Sequence, residues 1–303
     1  MEGDLKVKFS ICNELFEDWK LEEIFRKVKE IGYQGIELAP FTLADTVKEI
    51  SKEKRREIKG LAEDFELEIV GLHWLLVKPE GLHISHPEKK IREKTRDYLK
   101  QLIELCADLG GKVLVFGSPN QRSVLKGVTY QRAWEWTKEV FLDCLDLSSQ
   151  SEVTLCMEPL YRASTNFINT AKEAMKFIKE INHPNLRLIL DVYSMSDEEM
   201  PPGKIIRSAR ELLFHFHAND DNKRGPGFGK ANYKKIFSAL KEIDYKGYLS
   251  VEVFDFTPDP VTIAEESFSY LSRKEYETTG EPLTQLNWML DALSREWRRE
   301  NGG

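Results

Sequence analysis

The sequence is poor in cysteine and has no CxxC pair. Its four cysteines are scattered along 303 residues, at Cys12, Cys106, Cys144 and Cys156. A disulfide framework or a cysteine zinc site needs closely and regularly spaced cysteines, so both are excluded. We expect these residues to be reduced thiols that fill space in the core.

The sequence also lacks long apolar runs and an excess of basic residues. Its first residues contain acids and have neither the basic start nor the apolar core of a secretion signal, and no later run is long enough to span a membrane. A formal net charge of -7 opposes attraction to nucleic acid phosphates. We therefore expect a cytoplasmic protein that binds a small molecule, and neither nucleic acid nor a membrane.

The composition is typical of a soluble globular protein, with 41% hydrophobic and 31% charged residues. No segment rich in Pro, Gly or Ser divides the chain, and no charge run does so either. Because α/β barrels reach this length as a single unit, we expect one main domain.

Short β-rich segments alternate eight times with longer amphipathic segments of helical periodicity. Eight strand-helix repeats predict a single (β/α)₈ TIM barrel over residues 1–273. A doubly wound sheet would carry a GxGxxG turn after the first strand, where Cys12, Asn13 and Glu14 stand instead. The predicted strands cover residues 6–13, 32–40, 67–76, 112–119, 153–160, 186–193, 212–219 and 247–254.

Residues 274–303 follow the eighth repeat and include the amphipathic stretch LTQLNWMLDALSREWRRE. We predict a C-terminal helical extension. It either covers the barrel bottom or joins two subunits, and the sequence leaves both alternatives open, so a homo-oligomer is possible.

Acidic or histidine residues end four successive predicted strands. Glu158, Asp191, His217 and Glu252 close these apolar runs at separations of 33, 26 and 35 positions. Each separation is about one strand-helix unit, and the carboxyl ends of barrel strands form the active site in this fold. A single acid at a strand end is commonly an ion-pair partner or a helix cap, but four in succession predict a shared site.

Three converging carboxylates repel one another unless a cation lies between them. We therefore predict one divalent metal ion bound by Glu158, Asp191, His217 and Glu252. Three oxygens and one imidazole favour Mn²⁺, and also suit Mg²⁺, Co²⁺ or Zn²⁺.

The motifs around these residues resemble the xylose isomerase-like TIM barrels, which include sugar phosphate isomerases/epimerases and ketose 3-epimerases. The similar segments are MEPL, LDVYSM, HFHAND, the GPGFG loop at 225–229, and SVEVF. The resemblance implies the same metal ligands and assigns the catalytic acid and base to Glu158 and Glu252. It also implies a sugar or sugar-phosphate substrate.

This chemistry is consistent with the residues themselves. A metal near a carbonyl stabilises the enediolate that forms when a carboxylate removes the neighbouring proton. Return of the proton to the opposite face gives an epimer, whereas return to the adjacent carbon gives aldose-ketose isomerisation.

The sequence departs from the ketose 3-epimerases at two polar positions, where Ser164 and Ser194 replace a Glu and a His. The Arg that follows the metal-binding His in those enzymes has its nearest counterpart in Arg224, displaced by one position. These departures leave the sugar unassigned. Residues at strand ends and in the following loops are the candidates for substrate binding: Glu37, His73, Trp74, Arg162, Asn166, Lys223 and Arg224. We expect His215 to lie behind His217.

Two alternatives to an isomerase use the same barrel. The first is another metal enzyme, either a lyase of the inosose dehydratase type or a nuclease similar to endonuclease IV. The nuclease needs further histidines, including one where Ser194 stands, and the acidic charge disfavours DNA. The second is a non-catalytic sugar-binding barrel.

Overall fold

Eight parallel strands form a closed barrel in the computed structural model, which describes residues 7–280. Each strand pairs with its sequence neighbours, and β1 also pairs with β8, with Lys8 opposite Tyr248. The predicted (β/α)₈ barrel is confirmed, although the strands are shorter than predicted because their ends belong to loops. The strands are Lys8–Cys12 (β1), Gly35–Leu38 (β2), Glu68–Leu72 (β3), Val113–Phe116 (β4), Thr154–Met157 (β5), Leu186–Asp191 (β6), Leu213–Ala218 (β7) and Tyr248–Val251 (β8).

Helices follow the strands and pack around the barrel. They are Leu21–Ile31 (α1), Lys52–Asp64 (α2), Lys89–Asp108 (α3), Tyr130–Gln150 (α4), Ala171–Ile181 (α5), Val192–Met195 (α6), Pro202–Ser208 (α7), Tyr233–Glu242 (α8) and Pro260–Thr279 (α9). Short 3-10 turns lie at Asn13–Leu15, Pro40–Thr42, Val47–Glu49 and Pro119–Gln121. Three of these turns, those beginning at Asn13, Pro40 and Pro119, stand just after β1, β2 and β4.

Helix α5 illustrates how the sequence determines helix ends. Thr170 and Glu173 form a capping box, in which each side chain accepts a hydrogen bond from the backbone of the other. Such a cap contributes about 1 kcal/mol. The helix ends at Asn182 in the left-handed conformation, with φ of 53°, just before His183 and Pro184.

The barrel interior has an apolar side and a polar side. Inward side chains of the middle strands form a small apolar cluster that includes Val113, Val115 and Ile189. By strand alternation, Ser10 and Glu37 are among the inward side chains of the first two strands, and both are buried. Buried polar groups require hydrogen-bond partners. The partners of Glu37 belong to the site described below.

The predicted cysteine chemistry is confirmed, because all four cysteines are free and buried. Within residues 7–280, no helix has both the length and the apolar character needed to cross a membrane. The predicted start of the extension at residue 274 lies inside α9. The rest of the extension, from residue 281 on, lies outside the described residues, so its role stays a prediction.

Candidate metal centre

The four predicted ligands converge at the carboxyl ends of strands β5 to β8. Glu158 follows β5, Asp191 ends β6, His217 lies in β7 and Glu252 follows β8. One potential ligand atom from each residue lies within 4.8 Å of all the others, and all four side chains are buried. An ion with bond lengths of about 2.1 Å holds its ligand atoms up to about 4.2 Å apart, so the cluster needs only a slight contraction to bind one.

The electrostatics of the cluster favour a bound cation. Burial, and then the neighbouring Glu252, raises the pKa of Glu158 well above its ordinary value. The same two causes raise the pKa of Asp191 to about 6. Burial alone would lower the pKa of His217, but Glu252 and Glu37 outweigh it and raise this pKa well above the ordinary value. A divalent ion would relieve the repulsion that these shifts reflect.

Asp191 is held in place by hydrogen bonds to both carboxylate oxygens. The backbone N–H of Ser194 donates to Oδ1 over 2.7 Å, and the side-chain amide of Asn219 donates to Oδ2. The oxygen of that amide accepts from the backbone N–H of Tyr193 at 2.7 Å. The start of helix α6 and the end of β7 therefore fix the carboxylate together.

A carboxylate beneath the metal cluster supports His217. Glu37 Oε1 lies 3.2 Å from Nε2 of His217, and Glu37 Oε2 lies 2.8 Å from Nε2 of His215. Burial alone would raise the pKa of Glu37, but the two imidazoles outweigh it and hold this pKa well below its ordinary value. Glu37 is thus an ionised acceptor. His215 lies behind His217, where the sequence predicted it.

The cluster opens into a cavity of about 180 Å³. Glu158 and Glu252 contribute to its lining, so a bound molecule would touch the metal ligands directly. Other residues of the wall include Trp74, Ser118, Ser164, Tyr193, Ser194, Lys223 and Phe254. The cavity wall therefore combines two carboxylates, hydroxyl groups, one ammonium group and aromatic rings, and it encloses space for one small molecule.

Two of the predicted substrate residues, Trp74 and Lys223, line this cavity. Two others lie elsewhere in the barrel interior. Glu37 contacts the histidines described above, and His73 is fully buried with its Nε2 2.6 Å from Oε2 of Glu14. In this structure both support neighbouring side chains and neither borders the cavity.

The remaining three predicted substrate residues are not among those that line the cavity, and each bonds a partner within the protein. The Arg162 guanidinium bonds the carboxylate and backbone oxygen of Asp197. The Asn166 side chain bonds both backbone groups of Val124. Arg224 pairs with Asp255 at 3.0 Å. Partners within the protein occupy these polar groups.

Sequence reasoning missed Arg122, a fully buried arginine next to the cluster. Its Nη1 donates to the carbonyl oxygen of Glu158 at 2.7 Å, and its Nη2 donates to those of Phe167 and Ile168 at 2.9 and 3.0 Å. Burial lowers the pKa of Arg122 to about 10. Arg122 thus ties the loop after β4 to the backbone that carries Glu158.

Glu14, the partner of His73, was also missed as a site residue. It is buried and follows β1 by two positions, inside the turn Asn13–Leu15. Its position just beyond a strand end was a usable signal, because the four ligands were found by the same rule.

The model of the xylose isomerase-like TIM barrel family matches residues 25–274. The chain belongs to this family. The predicted family is therefore confirmed, and the match spans every strand and helix from β2 to β8.

Curated members of the family that are similar to this chain are sugar epimerases. The D-psicose 3-epimerase of Ruminiclostridium cellulolyticum is 28% identical over 244 residues, which cover 78% of this chain and 80% of that protein. The 3-dehydro-D-guloside 4-epimerase of Escherichia coli is 25% identical, with coverage of 88% and 99%. These relatives belong to the isomerase class, in agreement with the predicted class of enzyme.

Solved structures of family members share the fold. The D-psicose 3-epimerase of Clostridium cellulolyticum, solved with D-tagatose, superposes with a TM-score of 0.79 at 22% identity and covers 90% of this chain and 99% of its own. The 3-keto-D-glucoside 4-epimerase of E. coli gives a TM-score of 0.76 at 22% identity, with coverage of 88% and 99%. At this identity the likeness describes the barrel alone.

Proposed function

We propose that this protein is a divalent-metal-dependent sugar epimerase or isomerase that removes a proton next to a carbonyl group. The observation that carries the proposal is the convergence of Glu158, Asp191, His217 and Glu252 at the edge of one small cavity, which Glu158 and Glu252 line. The similarity to sugar epimerases supports the same reaction class.

The four residues suit one divalent cation. Three carboxylates and an imidazole are the donors that Mn²⁺ accepts, and Mg²⁺, Co²⁺ and Zn²⁺ are compatible with the same set. When bound, the metal supplies a positive charge that stabilises negative charge developing on substrate oxygens. The raised pKa values of Glu158 and Asp191 support a cation at this position.

Glu158 and Glu252 exchange the substrate proton in this proposal. Both line the cavity, and their strands β5 and β8 are separated by β6 and β7, so the two carboxylates approach a bound sugar from different sides. One carboxylate takes the proton, and the other returns a proton to the opposite face of the planar enediolate. The two residues exchange roles when the reaction runs in reverse.

Other cavity residues bind the substrate. The indole of Trp74 and the ammonium group of Lys223 are placed to contact a sugar or sugar phosphate. We further propose that the protein acts in the cytoplasm on this small molecule and has no nucleic acid or membrane partner. Residues 274–303 cover the barrel bottom or join subunits of a homo-oligomer.

The test uses metal-loaded protein with sugars, sugar phosphates and inositol-derived ketones in D₂O, followed by NMR. We expect deuterium to enter the carbon next to the carbonyl and an epimer or isomer to accumulate. Loss of water from the substrate would instead identify a lyase. Absence of exchange from every ketone, with metal bound, would favour a non-catalytic sugar-binding barrel.

Site variants check that exchange arises from this centre. Glu158→Gln and Glu252→Gln should each lower the exchange rate at least about 100-fold, the usual contribution of a general acid or base. Their unfolding curves should remain cooperative. The control Glu68→Gln changes an exposed carboxylate of β3 that pairs with Lys8, and it should leave the rate unchanged. Metal content by mass spectrometry should approach one ion per chain in the control.

A further inference from the structure

Three aromatic rings form a connected wall of the metal-site cavity. The ring centroids of Trp74 and Phe254 lie 6.2 Å apart, and those of Phe254 and Tyr193 lie 5.9 Å apart. Tyr161 stacks on Tyr193 at 4.8 Å and extends the surface outward. The phenyl ring of Phe254 is 38% exposed. A bound molecule with an apolar face would cover it.

Two residues of this cavity are held in an unusual backbone conformation. Trp74 has φ of 50° and Lys223 has φ of 69°, both in the left-handed region that large side chains seldom adopt. The carbonyl of Lys223 accepts from the backbone N–H groups of Phe254 and Asp255, which fixes the strained position. Such strain occurs preferentially where a side chain is positioned for a ligand.

The wall also contains one buried donor without a partner. Among residues 7–280, nothing accepts a hydrogen bond from the indole Nε1 of Trp74. A buried donor left unpaired costs about 1–3 kcal/mol, and an oxygen of the ligand would remove this cost. Ser118, Ser164 and Ser194 add hydroxyl groups, and Lys223 adds the ammonium group, whose Nζ lies 5.7 Å from the ring centre of Tyr193.

The chemistry of the proposed reaction restricts what such a wall can accommodate. An open-chain ketose exposes hydroxyl groups along its whole length, and it loses its carbonyl when the ring closes. A closed sugar ring has C–H faces that pack on aromatic rings, with polar groups at its edge. To retain a carbonyl for proton abstraction, that ring must carry the ketone at a ring carbon other than the anomeric one.

We propose that the substrate is a closed-ring keto-sugar, with the ketone facing the metal cluster and one C–H face against the ring of Phe254, which the rings of Trp74 and Tyr193 flank at 76° and 55°. This inference rests on the proposed function and adds the substrate class to it. The cavity of about 180 Å³ is smaller than the ~300 Å³ at which sites for drug-sized ligands begin, and it suits one ring. A second group on the anomeric carbon would extend towards Tyr161.

The reaction on this substrate is balanced without any co-reactant. One member of the Glu158 and Glu252 pair is a carboxylate and accepts the proton from the carbon next to the ring ketone; the C–H electron pair becomes a C=C bond and the π pair of the carbonyl moves to its oxygen. The other member begins protonated and delivers its proton to the opposite face of that carbon, while the C=C pair forms the new C–H bond and the carbonyl forms again. The ring oxygen and the anomeric bond stay intact, so the product is the epimeric ring ketone.

The experiment compares closed-ring and open-chain ketones with metal-loaded, full-length protein in D₂O. The probes are a methyl 3-keto-glucopyranoside, an inositol-derived ketone, D-fructose and D-psicose. We expect kcat/KM for deuterium exchange to be at least about 100-fold higher for one of the ring ketones than for either ketose. Equal or faster exchange from the ketoses would overturn the ring proposal and leave the proposed function intact. No exchange from any probe would overturn both.

A matched pair of variants tests the wall itself. Phe254→Leu keeps the apolar bulk and removes the aromatic face, and it should raise KM for the ring ketone about tenfold with little change in kcat. Phe214 is equally exposed, at 38%, but lines a separate cavity at the other end of the barrel, so Phe214→Leu should change neither value. Saturation-transfer NMR with an unreactive methyl glucopyranoside should show contact with its C–H face that Phe254→Leu weakens. An unchanged KM and an unchanged NMR contact in Phe254→Leu would contradict the stacking role.

Discussion

Glu37 on strand β2 lies 3.2 Å from Nε2 of His217 on strand β7, although 180 positions separate the two residues in the chain. Because the pKa of Glu37 is held well below its ordinary value, its carboxylate accepts a hydrogen bond and the imidazole Nε2 carries the proton. The other ring nitrogen, Nδ1, lies 2.9 Å from Oε2 of Glu252, on the side of the metal cluster. Glu37 thus directs Nδ1 of His217 towards the proposed metal site.

Replacement of Glu37 should weaken metal binding without removing a ligand. Glu37→Gln keeps the shape of the side chain, but an NH₂ group replaces one of the two oxygens that face His215 and His217, and this group cannot accept a hydrogen bond. One imidazole must turn or change its protonated nitrogen. We expect Mn²⁺ affinity to fall about 10- to 100-fold, as measured by titration calorimetry. Glu68→Gln is the control. If both variants bind Mn²⁺ with an affinity within twofold of that of the original protein, Glu37 does not orient His217.

The convergence of the four proposed ligands was predictable from sequence because strand alternation and strand ends are local properties. Glu158, Asp191, His217 and Glu252 each end an apolar run at the same phase of the barrel repeat. That phase places their side chains on one side of the strand and at one end of the sheet. The eight-fold alternation likewise predicted the order of the strands.

The supporting contacts were not predictable in this way, because they join residues far apart in the chain. Periodicity indicates that Glu37 faces inward, but only the closed barrel places it against His215 and His217. The contacts of loop residues were not predictable for a related reason: position after a strand does not specify which partner a side chain meets. Arg162 and Arg224 pair with the carboxylates of Asp197 and Asp255, two contacts that the sequence did not indicate.

Arg122 should matter for both stability and the metal site. Arg122→Met removes a donor from each of the carbonyls of Glu158, Phe167 and Ile168, while the Ile168 oxygen keeps the backbone N–H of Leu160 as a partner. We expect the free energy of unfolding to fall by about 3 kcal/mol in urea titrations, and Mn²⁺ affinity to fall with it. Arg132→Met, at an exposed arginine paired with Glu135, should cost under about 1 kcal/mol. Equal losses in the two variants would contradict the role of the buried guanidinium.

Metal removal should make stability depend on pH. The pKa of Asp191 is raised to about 6, and that of Glu158 is raised well above its ordinary value, so the folded protein without metal binds protons more tightly than the unfolded chain. Their contribution to stability is therefore present at acidic pH and is lost as pH rises through these folded-state pKa values.

Bound Mn²⁺ replaces those protons, so its stabilising effect should grow with pH. We expect the difference in Tm between Mn²⁺-loaded and EDTA-treated protein to increase steadily from pH 5 to pH 8 in scanning fluorimetry. The increase should be smaller in Glu158→Gln, which has one fewer titrating carboxylate. A difference in Tm that stays constant or shrinks over this range would argue against a metal at the cluster.

Gly117 provides a way to move Glu158 while leaving its chemistry intact. A Cβ atom built on Gly117 would overlap Oε2 of Glu158, and apart from the adjacent residues the only other atom of residues 7–280 within 4 Å is the carboxyl carbon of the same side chain. Gly117→Ala should therefore fold normally and displace the carboxylate. We expect Mn²⁺ affinity and the exchange rate each to fall at least about tenfold, because small displacements of a catalytic group have large effects. Gly60→Ala in helix α2 is the matched control, because in the described part of the chain no atom beyond its own stretch of helix lies within 4 Å of the added Cβ. Alanine at this position should leave activity unchanged and add about 0.5–1 kcal/mol of stability. Full activity in Gly117→Ala would mean that the position of the Glu158 carboxylate does not limit the reaction.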